Sequence, residues 1–223
     1  MISAPGWVLA LDTATNTIVV AGGTTDGAIL ARESLEGRYR HSQELLPAVQ
    51  RLLERAGLRL NDLAAVVVGT GPGAFTGLRV GLATAKTLAH ELGVPVIGIA
   101  TSAALLEAAG GGSARLWLPS GPRDRLFVEA GRQPMLVHDD AASTEADEDL
   151  AIDLAGRAPE AALGRGRAAL GRLPESLLRL GLARLAIGDT DDPERLVPAY
   201  AVPPRGAPAS EAEGGVAWSR DPR

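Results

Sequence analysis

Between residues 69 and 81 the chain reads GTGPGAFTGLRVG, five glycines and one proline where an apolar run gives way to a helical pattern. A glycine-rich turn ahead of a helix can cradle a phosphate, because backbone amides and the helix's positive end then face one anion. A Walker loop closes with Gly-Lys-Ser/Thr so that a lysine reaches the terminal phosphates. Here Gly77 is followed by Leu78, and the only lysine of the chain is Lys86. A dinucleotide fingerprint needs G-x-G-x-x-G and an acid about 20 residues later. Gly71, Gly73 and Gly77 are spaced G-x-G-x-x-x-G, and the next strand closes at Ala100-Thr101 without a carboxylate. The steric reading is preferred. Gly71, Gly73, Gly77 and Gly81 let the chain turn sharply out of a strand and bring the next helix's backbone close to a neighbour.

Other chemistry is thin. No cysteine is present, which excludes disulfides and thiolate metal sites. His41, His90 and His138 stand 48 or more residues apart with no H-x-x-x-H, which excludes a zinc site of the usual kind. The acidic run HDDAASTEADEDLAID (138–153) lacks the glycine and ligand spacing of a calcium loop and reads as a solvated loop leading into a helix. No serine has a histidine and an acid in motif context, so a protease finds no support. Net charge is −5, the wrong sign for strong nucleic-acid binding by this chain alone.

The apolar runs LAAVVVG (63–69) and VPVIGIA (94–100) are far shorter than the roughly 18 to 20 residues a membrane span requires. The N-terminus lacks a basic lead, so no secretory signal is read there and a cytoplasmic setting is expected. Strands are predicted over 7–14, 17–23 and 27–35, then a helix over 41–56 bearing Pro47, a strand at 63–69, a helix over 75–92 and a strand at 94–100. Thr101-Ser102 is expected to cap a helix over 102–109. Strands in a row followed by alternating helix and strand predict an α/β mixed sheet flanked by helices. Gly110-Gly111-Gly112-Ser113 is the expected boundary between a domain over 1–109 and a smaller one over 110–202. The smaller part is predicted to hold strands near 115–118 and 125–130 and helices near 147–156 and 174–186. Residues 203–223 are expected to be partly mobile. No internal repeat is seen.

Both long helices carry broad apolar arcs. The first presents Leu45, Leu46, Val49, Leu52 and Leu53; the second Phe75, Leu78, Leu82 and Ala89, with Gly77, Gly81 and Ala85 in a line that would let another helix approach. Arg79, Lys86 and His90 form a basic stripe beside it. Periodicity leaves two readings open: the arcs form half of an intermolecular four-helix bundle, or the chain's own sheet covers them.

Four segments, LDTAT (11–15), HSQELLP (41–47), GTGPGAFTGLRVG and GVPVIGIATSAAL (93–105), together resemble the TsaB family of bacterial proteins, in family order over about the first 105 residues. LVPAYAVPP (196–204) is similar to that family's closing Pro-x-Tyr segment, and GVAW (215–218) to a tail of some members. The family commonly reads Asp-Ala-Arg-x-x-Glu-Val-Tyr where this chain has Ser120 to Phe127, and often serine at Ala74.

The resemblance implies an actin/sugar-kinase/Hsp70-like, ribonuclease H-like fold with a reduced second lobe. It also implies a non-catalytic subunit of the threonylcarbamoyladenosine machinery of tRNA that binds and supports a TsaD-like catalytic subunit. A TsaE-like ATPase is the further partner, homodimerisation is expected in isolation, and tRNA is reached only through the complex. ATP and metal belong to the partner subunits. The interface implied comprises His41, Leu45, Leu46, Val49, Leu52, Leu53, Phe75, Leu78, Arg79, Leu82, Lys86 and Ala89. Asp12, Thr13 and Thr15 occupy the phosphate-turn position of catalytic relatives and are candidate weak nucleotide contacts, although Thr13 and Ala14 replace the usual glycine there. The rival reading is a self-sufficient ATP-binding enzyme of the same fold.

Overall fold

A computed structural model describes residues 6–111, 114–138 and 148–200. β1 (Trp7–Asp12), β2 (Thr17–Thr24) and β3 (Ile29–Glu36) form an antiparallel meander. β1 is buried on both faces, whereas β3 alternates half-buried and exposed residues, as an edge strand with one covered face must. β4 (Leu63–Gly69) then lies parallel to β1, and β5 (Val96–Ile99) parallel to β4, giving the order β3-β2-β1-β4-β5. The register sets Leu11 opposite Val68 and Gly69 opposite Ile99. Three parallel strands therefore end together, and the turns that follow them meet at one edge.

α1 (His41–Ala56) and α2 (Phe75–Leu92) cover one face of this sheet, packing on Leu9, Leu11, Ile18, Val20, Val66 and Val68. Pro47 lies inside α1 on its exposed side. The opposite face, with Val8, Ala10, Val19, Ala65 and Val67, packs on α3 (Thr101–Ala108) and on α4 (Glu160–Ala186).

The second sheet comprises β6 (Arg115–Pro119), β7 (Asp124–Glu129), β8 (Met135–His138) and β9 (Asp149–Ala151), in the order β8-β7-β6-β9. Its first three strands are antiparallel and β9 runs parallel to β6. This is the first sheet's topology, a meander and then a parallel strand, with no fifth strand among the described residues. The repeat is invisible in sequence because topology is kept while residue identities are not. The architecture is thus the mixed α/β, actin-like class with a smaller second sheet.

Two local expectations are corrected. The helix expected near 147–156 is instead β9 followed by turns. Leu150 and Ile152 face the large core while Ala151 faces Trp117, and this period-2 alternation is too short to outweigh a helical reading. The helix expected at 174–186 starts at Glu160. Gly164, Gly166, Gly171 and Pro174 disguised its first half, yet Gly166 and Pro174 are buried, and Gly166 lets the helix backbone rest on the Ala151 carbonyl.

The expected joint at 110–113 is described only at Gly110 and Gly111, both in left-handed conformation. Gly112, Ser113, the acidic stretch 139–147 and everything from 201 onward, including GVAW, lie outside the described residues. Among the described residues no helix is long and apolar enough to cross a membrane.

Candidate functional site

The turn that follows β1 is the hub where the strand ends meet. Asp12, its first member, is fully buried. Its Oδ1 accepts the Ala14 amide at 2.8 Å and its Oδ2 accepts the Thr101 hydroxyl at 2.6 Å. That hydroxyl in turn accepts the Gly71 amide at 3.0 Å, tying β1, the glycine loop and α3 to one oxygen. Thr101 therefore serves Asp12 and does not cap its helix, which has no side-chain cap. Burial pushes the Asp12 carboxyl up to about 6, against the Thr101 hydroxyl, the Ala14 amide and the nearby His41, which act in the opposite direction.

The remaining polar groups of the turn are equally committed. The Thr13 hydroxyl donates to the Gly77 carbonyl at 2.7 Å, and the Ala74 amide donates to the Ala14 carbonyl at 2.7 Å. His41 Nε2 donates to the Thr15 carbonyl at 2.8 Å, a partner that fixes the proton on that nitrogen. The Asn16 amide donates to Asp153 Oδ2 at 2.7 Å, across from the second lobe. Burial raises the Asp153 carboxyl, with the Asn16 hydrogen bonds, Arg38 and His41 opposing.

The glycines explain how α2 comes so close. A Cβ on Gly73 would overlap the Ala14 carbonyl, one on Gly77 the Thr13 carbonyl oxygen, and one on Gly81 the Thr13 hydroxyl. Gly71 adopts φ 101, which L side chains rarely accept. The loop is thus built for close backbone packing. The line Gly77-Gly81 sits chiefly on Thr13 in the turn after β1, with His41 at the start of α1 near Gly77, and this corrects the expectation that the line serves mainly to admit another helix.

Between the lobes lies a cleft of about 1270 Å³. Asn16, Arg38, Tyr39, Phe75, Pro122 and Arg157 are among its lining residues. Asp12, Thr13 and Thr15, the candidate nucleotide contacts, are at most 1% exposed and are not among its lining residues. Their hydrogen bonds are spent inside the chain, which corrects their expected availability to a ligand.

The interface residues divide in two. His41, Leu45, Val49, Leu52, Leu78, Leu82 and Ala89 are buried in the chain's own core, so the expectation that they line a free surface is corrected. The sheet claims those arcs because each buried leucine contributes roughly 2 kcal/mol there. Leu46 and Phe75 are exposed at 56% and 40%, Arg79 is exposed, and Leu53 and Lys86 are half-buried. His90 and His138 are both exposed, far from His41 in sequence and burial. Sequence reasoning missed Asp153 and the role of Thr101, the first masked by an acidic run and the second by its place at a helix start.

Comparison with known proteins follows the same outline. YeaZ from Pseudomonas aeruginosa superposes with a TM-score of 0.65 at 25% identity, over 87% of this chain and 99% of that one. An uncharacterized Mycobacterium tuberculosis protein is 44% identical over 106 residues, 47% of this chain and 48% of its own length. The Escherichia coli tRNA threonylcarbamoyladenosine biosynthesis protein TsaB is 40% identical over 102 residues, 46% of this chain and 43% of that protein. The family model described as TsaD, tRNA N6-adenosine threonylcarbamoyltransferase, matches residues 35–165, more than half of the chain. The chain belongs to the TsaB family. The chain spans about half the length of the curated TsaB relatives it matches.

Proposed function

We propose that this TsaB-family chain is a non-catalytic subunit in the biosynthesis of tRNA threonylcarbamoyladenosine, docking on a TsaD-like catalytic subunit. The observation that carries this reading is the sealed turn after β1. Where a catalytic relative would hold phosphate, the backbone of α2 is seated on Thr13 and Ala14, and Asp12 faces Thr101. Space for a reacting phosphate is already filled. The threonylcarbamoyl transfer to adenosine then takes place on the partner, with ATP and metal held there and on a TsaE-like ATPase, and tRNA is met only in the complex.

Docking uses the outward side of α1 and α2. Leu46, Pro47 and the half-buried Leu53 lie on α1; Phe75, the half-buried Val80 and Ala83 lie on α2. These outward positions replace the buried leucines as the docking surface, since a glutamate at Leu52 or Leu82 would report folding and not association. Leu46→Glu and Ala83→Arg are expected to melt like the parent chain and to weaken association with the TsaD-like subunit by at least about tenfold. Association of both variants at parental strength, measured by biolayer interferometry, would remove this surface from consideration. The same patch offers the isolated chain a route to pair with a second copy, which sedimentation of Leu46→Glu would report.

The rival ATP-binding reading makes a separate prediction. Titrating the isolated chain with Mg-ATP is expected to give no stoichiometric heat, because a phosphate would have to displace the Gly73 and Gly77 backbone. Saturable one-to-one binding would favour the rival.

A further inference from the structure

We infer that residues 189–200 act as a brace, running from the end of α4 to the start of α2 and fixing the path of the glycine loop. The brace is anchored by Arg184, in the last turn of α4. Its guanidinium donates to Asp189 at 2.8 Å, to Asp191 at 3.0 Å and to the Gly98 carbonyl at 2.7 Å. One rigid fork thus joins helix, strap and strand.

From there the strap follows the free edge of β5. The Asp191 amide donates to the Val96 carbonyl at 2.9 Å, and Asp191 Oδ2 accepts the Gly98 amide at 2.7 Å. An edge strand needs such cover for its unpaired backbone groups. Leu196, 9% exposed, fills the space above Gly98, where a Cβ would come within 2.6 Å of its Cδ1. The strap then crosses the glycine loop. The Ala199 amide donates to the Thr70 carbonyl at 2.8 Å, and the Ala199 carbonyl oxygen sits 3.0 Å from where a Gly71 Cβ would be.

The far end clamps α2. The Tyr200 ring packs on Phe75 with centroids 5.0 Å apart, and the Tyr200 hydroxyl accepts Arg79 Nε at 3.1 Å. The Arg79 guanidinium lies 4.2 Å from the Phe75 ring centre, completing a three-way stack on the first turn of the helix. From inside, Thr101 and Ala14 hold this loop through the Gly71 and Ala74 amides. From outside, the strap holds it.

Because Phe75 belongs to the docking face and Arg79 stacks on it, the brace makes that face depend on residues 189–200, and this part of the inference rests on the docking reading. Amide exchange measured by NMR on the full chain tests it. In Tyr200→Ala and Asp191→Ala, exchange at Gly71, Ala74 and Leu78 is expected to be about tenfold faster, with Leu9 and Ala10 of β1 unchanged. Val197→Ser, at a strap residue 65% exposed, is expected to match the parent. Unchanged loop exchange in both variants overturns the brace, and so does uniform acceleration that includes β1. If the loop loosens while association with the TsaD-like subunit keeps its parental strength, the brace stands and the dependence of the docking face on it fails, whereas the docking reading itself falls only with Leu46→Glu and Ala83→Arg.

Discussion

Gly77→Ala is expected to cost at least about 3 kcal/mol of stability, a fall in Tm on the order of 6–12 °C for a chain of this size. The new methyl would overlap the Thr13 backbone carbonyl, and backbone cannot rotate away as a side chain can. α2 would have to lift from β1, and the Thr13 hydroxyl would lose its 2.7 Å bond to the Gly77 carbonyl. Gly73→Ala should behave similarly, since it meets the Ala14 carbonyl. Gly81→Ala is the informative contrast. Its methyl would overlap only a side-chain group, the Thr13 hydroxyl, which can rotate, with Leu11 and the Thr13 Cβ at ordinary contact distance, so a loss of about 1 kcal/mol is expected. Three alanine variants that all melt with the parent chain would show the glycines to be dispensable for packing and return the loop to candidacy as a ligand cradle.

Asp12 gives the largest expected pH effect. Its folded-state pKa of about 6 exceeds its ordinary value of 3.8, so the folded chain holds this proton more tightly than the unfolded chain does. The stability it contributes is fully present below about pH 4 and is lost as pH rises through about 6. The shift corresponds to about 3 kcal/mol between the two limits. Acidification from pH 7.5 to 5 is therefore expected to favour the folded state through this group. Asp153, also raised by burial, acts in the same direction. Asp12→Asn retains an acceptor for the Ala14 amide and cannot titrate, so its melting temperature should vary less between those two pH values. An Asn variant with the same pH slope as the parent would refute the assignment. Asp12→Ala should be worse than either at all pH values, because the Ala14 amide and the Thr101 hydroxyl would lose their buried acceptor.

Much of this was legible in the residues. The meander, α1 over 41–56 and α2 over 75–92 follow from alternation and helical spacing, and the failure of both phosphate fingerprints left packing as the reading of glycines that lie against Thr13 and Ala14. What periodicity could not decide was direction. A wheel shows an apolar side on each helix, with Leu45 and Leu52 on the first and Leu82 on the second, but not which neighbour covers it, and the sheet proved broad enough to take both arcs. Contacts between distant segments were also out of reach: Asp153 to Asn16 spans 137 residues and Arg79 to Tyr200 spans 121. In α4, glycines and a proline that lower intrinsic propensity are retained because two of them sit under close contacts. Gly181 rests on Val67 and Gly166 on Ala151, so tertiary packing overrides the local preference there.

That long helix has a consequence for synthesis. As the chain leaves the ribosome, β1, β2 and β4 are complete by residue 69, yet Leu173, Leu177 and Leu178, which roof Val8, Val19 and Val67, emerge a hundred residues later. Through that interval the nascent protein carries one greasy flank that α3 alone covers in part, a surface for holdase chaperones to shelter until α4 arrives.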